Sequence, residues 1–200
     1  MKLWGRIVGL SLICMSLSAC FSNIMTGASI VYDRHQWYRK LDDFQLTANV
    51  KQVLFDEPSI KCDTCSVEYT IFNHDILLVG HVPSQAVRRK VSERMRALHN
   101  KRHLYNELVV TRERGDVFTD TWITTKIRSQ MLTDASINPK QFKVVTFDGV
   151  VYLMGDVMPE QAEIVVMYAR QWSEVRRVVK LFQYYHLSSH AASEQNPSSD

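Results

Sequence analysis

The chain has 200 residues, 46% of them hydrophobic, with 24 Lys and Arg against 21 Asp and Glu. That is apolar material enough for a packed core, in one domain of ordinary size or two small ones. A charge balance this even creates no global field to draw in nucleic acid, which is set aside as a partner.

The first twenty residues have the three-part layout of an export signal: Lys2 and Arg6 in "MKLWGR", a short apolar run "IVGLSLICMSL", and "LSAC" with small residues before Cys20. From Ile7 to Ala19 is 13 residues, too short for a bilayer crossing, which takes about 20. Leu17-Ser18-Ala19-Cys20 resembles a bacterial lipobox, whose cysteine is acylated and becomes the mature N-terminus. The other reading is an ordinary cleaved signal with an incidental cysteine. Phe21 follows, not the Asp associated with retention at the inner membrane. Residues 1–19 are therefore expected to be the signal peptide and Cys20 the lipidation site. Removing Lys2 and Arg6 leaves 22 basic against 21 acidic residues. Residues 20–41 read as a lipidated tether that becomes structured toward its end, with Tyr32, Trp37 and Tyr38 packing on the first domain.

The body of the chain is an internal repeat. "DDFQLTANVKQVLFDEP" aligns with "TDTWITTKIRSQMLTDA", bringing Asp43 to Asp120, Leu46 to Ile123, Val50 to Ile127 and Leu54 to Met131. Each unit opens with an amphipathic helix, and Asp43 and Asp120 are placed as N-caps. "SVEYTIFNHDILLVGHV" then aligns with "FKVVTFDGVVYLMGDV". Asp148-Gly149 is a strong two-residue hairpin signal, and Asn73-His74 is a weaker one at the same register. Gly80 and Gly155 near the hairpin ends read as close-packing positions. Second helices come next, entered through Pro83 and Pro159, and "LYNELVV" and "RRVVKLFQYY" supply a last strand to each unit. The predicted order is α-β-β-α-β twice, over 42–112 and 113–186. Residues 187–200 lack periodicity and read as a disordered tail.

These features together resemble the dual BON-domain outer-membrane lipoproteins of the DolP/YraP type. The resemblance rests on two such units behind a lipobox, on "NELVV", and on "DTWITTKIRSQML" with "VVTFDGVVYLMGDV" in the second unit. It implies an α+β fold of two tandem BON domains, each with two helices packed on a three-stranded mixed sheet. It further implies no catalysis, and binding of anionic phospholipid through the first helix of the second domain. The location implied is the inner leaflet of the outer membrane, lipid-anchored and facing the periplasm. The role implied is outer-membrane integrity, with recruitment toward division sites. The chain departs from the pattern by carrying Cys62 and Cys65.

The residues bear on that implication directly. Ile123, Ile127 and Met131 form a core stripe, but Trp122 lies about 100° away from Ile123 on the helical wheel. The non-core faces carry Trp122, Thr125, Lys126, Arg128 and Ser129, with Phe118 and Thr121 at the helix entrance. An indole suits a bilayer interface, and neighbouring Lys or Arg can reach phosphates. Gln45 stands at the tryptophan's position in the first repeat. Two readings stay open: Trp122 meets lipid, or it packs against the other domain across the short link "TRERGDV".

Weaker features each carry two readings. Seven Lys or Arg between Arg88 and Arg102, against Glu93, form either a solvated helix face or a second anionic contact, to lipid or lipopolysaccharide. Cys62 and Cys65 could be a local disulfide in an oxidising periplasm or two free thiols; no second pair completes a zinc site. No nucleophile motif or phosphate-binding glycine loop is present, so no enzyme, metal or cofactor is expected beyond the covalent lipid on Cys20. The alternative to lipid binding is a periplasmic adaptor or chaperone-like factor docking on envelope machinery, such as that inserting outer-membrane proteins.

Overall fold

The computed structural model describes residues 28–61, 65–111 and 116–185, with side chains from residue 41 onward apart from Phe55 and Ser59. The predicted signal, Cys20, Cys62, the tail from residue 187 and the side chains of Tyr32, Trp37 and Tyr38 lie outside the described residues. The chain divides into two units between Tyr38 and Arg39. Helix α1 (Ala28–Phe55) begins in the first and ends in the second.

The second unit holds both repeats. After α1 come β1 (Ser66–Phe72), β2 (Asp75–Val82), α2 (Gln85–Arg96) and β3 (His103–Val110). The second repeat runs α3 (Val117–Thr133), β4 (Phe142–Phe147), β5 (Val150–Val157), α4 (Pro159–Arg170) and β6 (Arg177–Tyr184). Each sheet has three strands in sequence order, the first pair antiparallel and the second parallel. The fold is thus the expected α+β tandem of mixed sheets. The hairpins close through Phe72↔Asp75 and Phe147↔Val150, leaving two-residue turns in which Asn73, His74, Asp148 and Gly149 all have φ between 48° and 69°. Positive φ at both central residues matches the strands' twist, which is why Asp-Gly signals this turn.

Period-2 alternation sends one face of each sheet to the helices. In the first domain Ile76, Leu78 and Val82 of β2 meet Leu46 and Val50 of α1 and Val91 and Met95 of α2. In the second, Val151, Leu153 and Val157 of β5 meet Ile123, Ile127 and Met131 of α3 and Val165 and Ala169 of α4. The opposite faces, Leu77 and Val79 from one sheet and Tyr152, Met154 and Leu181 from the other, form a third cluster that joins the domains. Helices, sheet, sheet and helices make four layers, and all eight residues of β2 are buried because both faces of that strand are covered. Glycine is required near the ends of the central strands: a Cβ on Gly155 would lie 2.6 Å from the Gln141 carbonyl oxygen, and one on Gly80, at φ 134°, would collide with the Ser66 carbonyl.

The N-cap reading of the repeated aspartates is corrected. Helix α1 starts well before Asp43, and α3 is capped by Asp116, whose carboxylate accepts from the Phe118 amide at 3.0 Å. Asp43 and Asp120 sit inside their helices and reach across to the hairpin turns. Asp43 accepts from the amides of Asn73 at 2.9 Å and His74 at 2.8 Å. Asp120 accepts from those of Asp148 at 2.7 Å and Gly149 at 2.8 Å. Both N–H groups of such a turn point the same way, and a partly buried pair needs an acceptor. Pro83 also falls outside its helix: Ser84 is the N-cap of α2, whereas Pro159 opens α4.

Candidate functional site

Helix α3 turns its core stripe, with Asp120, toward the sheet and leaves the opposite face uncovered. Phe118 is 90% exposed, Trp122 53% and Leu132 73%, and Thr121, Thr125 and Ser129 share that face. The threonine hydroxyls are turned back onto the helix, Thr121 donating to the Val117 carbonyl at 2.9 Å and Thr125 to that of Thr121 at 2.8 Å. Their methyl groups and oxygen lone pairs are what the surface presents.

Cations flank the apolar stripe on both sides. The Lys126 Nζ stands 4.2 Å from the Trp122 ring and 5.2 Å from that of Trp172, so two indoles hold one ammonium. On the other side Arg128 donates to the Val144 carbonyl at 2.9 Å, which occupies one of its five N–H groups. Lys143, half buried beside it, has its pKa lowered first by desolvation and then by the Arg128 charge. Asp116 at the helix entrance is held below the ordinary carboxylate range, chiefly by the Thr119 hydroxyl.

All seven residues expected at the site therefore lie on one helix, and Arg128 also reaches the sheet. Trp122 stands exposed with Lys126 over its ring, and among the described residues the domains are joined by sheet faces and hairpin turns. Leu132, exposed Val117 and Trp172 extend the expected set. Leu132 is reachable from the sequence by continuing the stripe one turn, whereas Trp172 comes from the loop just after α4. In the first repeat Gln45 is exposed as expected, but Leu41 and Phe44 on α1 are exposed as well.

The basic run does not form one solvated face. Helix α2 ends at Arg96, so Lys101 and Arg102 lie beyond it. Lys90 and Arg94 pair with buried Glu57 at 2.8 Å and 2.6 Å, and Arg88 donates to the Asn106 carbonyl. Lys101 donates to the carbonyls of Arg96 and Leu98 at the helix end. Arg102 bridges Asp75 at 2.7 Å and Asp156 at 2.8 Å, and the Asp75 hydrogen bond, above all, raises its pKa. Cys65 is disulfide-bonded, while its expected partner Cys62 lies outside the described residues.

Beside α3 the two domains enclose a cleft of about 610 Å³. The helix contributes Thr121, Thr125 and Arg128, and the first domain contributes Glu68 of β1 and His81 of β2. His81 bonds Asp148 of the second hairpin turn, and the other carboxylate oxygen of Asp148 is buried with no hydrogen-bond partner among the described residues.

Comparison with known proteins agrees with this architecture. The model of the BON domain matches residues 42–112 and 119–184. The chain is 27% identical over 174 residues to the outer membrane lipoprotein DolP of Haemophilus influenzae, covering 84% of this chain and 90% of that protein. It is 28% identical to a 21 kDa hemolysin of Actinobacillus pleuropneumoniae, over 72% of this chain and 75% of that one. It is 31% identical to the osmotically-inducible protein Y of Escherichia coli K12, over 58% and 59%. Two domain matches that span most of the chain, on two repeats of one αββαβ fold, show that it belongs to the BON-domain family as a dual-BON protein of the DolP type.

Proposed function

We propose that this chain is an outer-membrane lipoprotein, anchored through acylated Cys20 and facing the periplasm, that binds anionic phospholipid without catalysing a reaction. The binding element is the outer face of α3: Phe118, Thr121, Trp122, Thr125, Lys126, Arg128 and Ser129. The observation that carries the reading is the exposed Phe118–Trp122–Leu132 stripe with Lys126 and Arg128 on its flanks. An apolar ridge between cations matches the boundary where acyl chains meet phosphates. Support for the location comes from the likeness to DolP, an outer membrane lipoprotein by name, and from the lipobox-like "LSAC".

The two membrane elements have separate tasks. Each buried CH₂ of an acyl chain contributes about 0.8 kcal/mol, so several chains on Cys20 fix residence without help from α3. Basic contacts add about 1 kcal/mol each near an anionic surface, and tethering raises their effective concentration. Helix α3 thus selects where on the membrane the anchored protein sits, which is the basis for a role in outer-membrane integrity and at division sites.

A second reading, an adaptor for envelope assembly machinery, draws on a groove of about 820 Å³ beside edge strand β6, where Met167 and Tyr184 are exposed. Sedimentation of the mature chain, with Cys20→Ser to remove the acyl group, against vesicles of graded anionic content separates the two. Binding that rises with anionic lipid is the expected result. Absence of binding at every composition overturns the phospholipid reading and leaves the adaptor.

A further inference from the structure

The cleft between α3 and the first domain carries more chemistry than an anionic surface contact needs. Its lining carries both signs of charge, the α3 carboxylate of Asp120 being committed to the amides of Asp148 and Gly149. Arg128, with N–H groups left over from its bond to Val144, is the cation, and Thr121 and Thr125 stand beside it on the helix. Glu68, exposed on β1 of the first domain, and Asp148, in the second domain's hairpin turn, are the other anions of the lining. One Asp148 oxygen is taken by His81, while the other is buried without a partner among the described residues. A buried carboxylate oxygen left unpaired is costly, and a charged donor is what it would favour most. The threonine hydrogens are committed to the helix, so Thr121 and Thr125 also offer lone pairs. A fitting ligand therefore joins one anionic group to one donor-rich cation. At about 610 Å³ the space lies in the range of small-molecule sites.

We propose that this cleft binds a phosphoethanolamine group, with the phosphate on Arg128 and the primary ammonium on Glu68 and Asp148. The first domain thereby contributes to headgroup selection through Glu68, a residue on neither α3 nor the anionic-lipid face. A trimethylammonium group of the same net charge has no N–H to give and fails this test of fit. The group could come from a membrane lipid or from a soluble phosphoethanolamine; its membrane source rests on the phospholipid reading given above, whereas the cleft itself does not.

The experiment uses the mature chain with Cys20→Ser and vesicles of fixed anionic content, the remaining lipid being either phosphatidylethanolamine or phosphatidylcholine. Affinity should be about tenfold higher with phosphatidylethanolamine, the factor expected of one charge-assisted hydrogen bond. Glu68→Gln should reduce it to the phosphatidylcholine level and leave that level unchanged. A far-UV circular dichroism spectrum verifies that the variant is folded. In parallel, free phosphoethanolamine should shift the amide resonances of Thr121, Thr125 and Asp148, and phosphocholine should not. Equal affinity for the two vesicle types with no shift from phosphoethanolamine overturns the cleft site and leaves anionic-lipid binding standing. A preference that survives Glu68→Gln also overturns it, since lipid packing would then be the cause. Shifts from free phosphoethanolamine in a protein that binds no vesicle support the cleft and remove the membrane reading.

Discussion

Asp43 and Asp120 occupy equivalent places in the two repeats, and each commits its carboxylate to the two amides of a hairpin turn. Bonds to a charged acceptor are the stronger kind, and their loss leaves two amides with no acceptor in a partly buried turn. Asp120→Ala should therefore destabilise the second domain by about 2–4 kcal/mol, read as a fall in the urea midpoint with the slope unchanged. Asp116→Ala, which removes an exposed cap, should lower the midpoint much less; an equal fall would return the capping role to Asp120. The cap also has a pH window. Because the Asp116 carboxyl is held below its ordinary 3.8, its contribution is complete above that value and lost as pH falls through the lowered one. The first hairpin offers the opposite change. His74 has φ 66°, a conformation that costs a non-glycine residue about 1 kcal/mol, so His74→Gly should raise the melting temperature. A fall would mean that the His74 ring, 3.5 Å from Asp42, contributes more than its backbone costs.

At the level of elements, hydrophobic periodicity is enough to order the helices and strands, since each core stripe repeats every three or four residues and each hairpin is flagged by its turn. What it cannot locate is the start of α1, because an N-cap is a local hydrogen bond and aspartate serves equally in a cap or a tertiary clamp. Asp116, the true cap of α3, lies four residues before Asp120, and aligning the repeats singles out the wrong one. The outer face of α3 is legible because a tryptophan off the core stripe has no reason of its own to be there. Its second indole partner is not, since Trp172 reaches Lys126 only through tertiary packing. Trp122→Glu should sharply weaken vesicle binding by removing the interfacial ring and setting a carboxylate among phosphates. Folding should survive, because Gln45 is exposed at the same place in the first repeat and the new carboxylate would face Lys126 one turn later, a favourable spacing. Ile127→Glu, one turn along the core stripe, should instead unfold the second domain by burying an unpaired charge. Equal losses of melting temperature in the two variants would make Trp122 a packing residue.

Across the whole molecule the decisive contact is between sheets. Its polar rim is reciprocal: His81 near the end of β2 bonds Asp148 in the second turn, and Asp156, its counterpart in β5, accepts from Asn73 in the first turn at 3.1 Å. Such exchange of equivalent contacts is what two copies of one fold make when related by an approximate two-fold axis. The sequence contains the signal. "ILLV" and "VYLM" are unbroken apolar runs, and a strand covered on one face only would alternate. Reading the runs only as hairpin strands leaves their second buried face unused. Anchoring acts at the same scale: Cys20→Ala should abolish palmitate labelling and leave the signal uncleaved, and unchanged labelling would defeat the lipobox reading. The sheet contact makes a sharper demand, because neighbouring residues of β2 serve different interfaces. Leu77 belongs to the layer between the domains and Leu78 to the first domain's own core, and both are fully buried. Leu77→Asp should place a carboxylate between the sheets and drive them apart, with each helix-covered core retained. The radius of gyration in solution scattering should rise while far-UV circular dichroism stays unchanged. Leu78→Asp should abolish the first domain's helix and strand signal, because its charge has no route to water short of unfolding. If Leu77→Asp instead loses the same secondary structure as Leu78→Asp, neither domain holds its fold without the other, and the shared layer is part of one indivisible core.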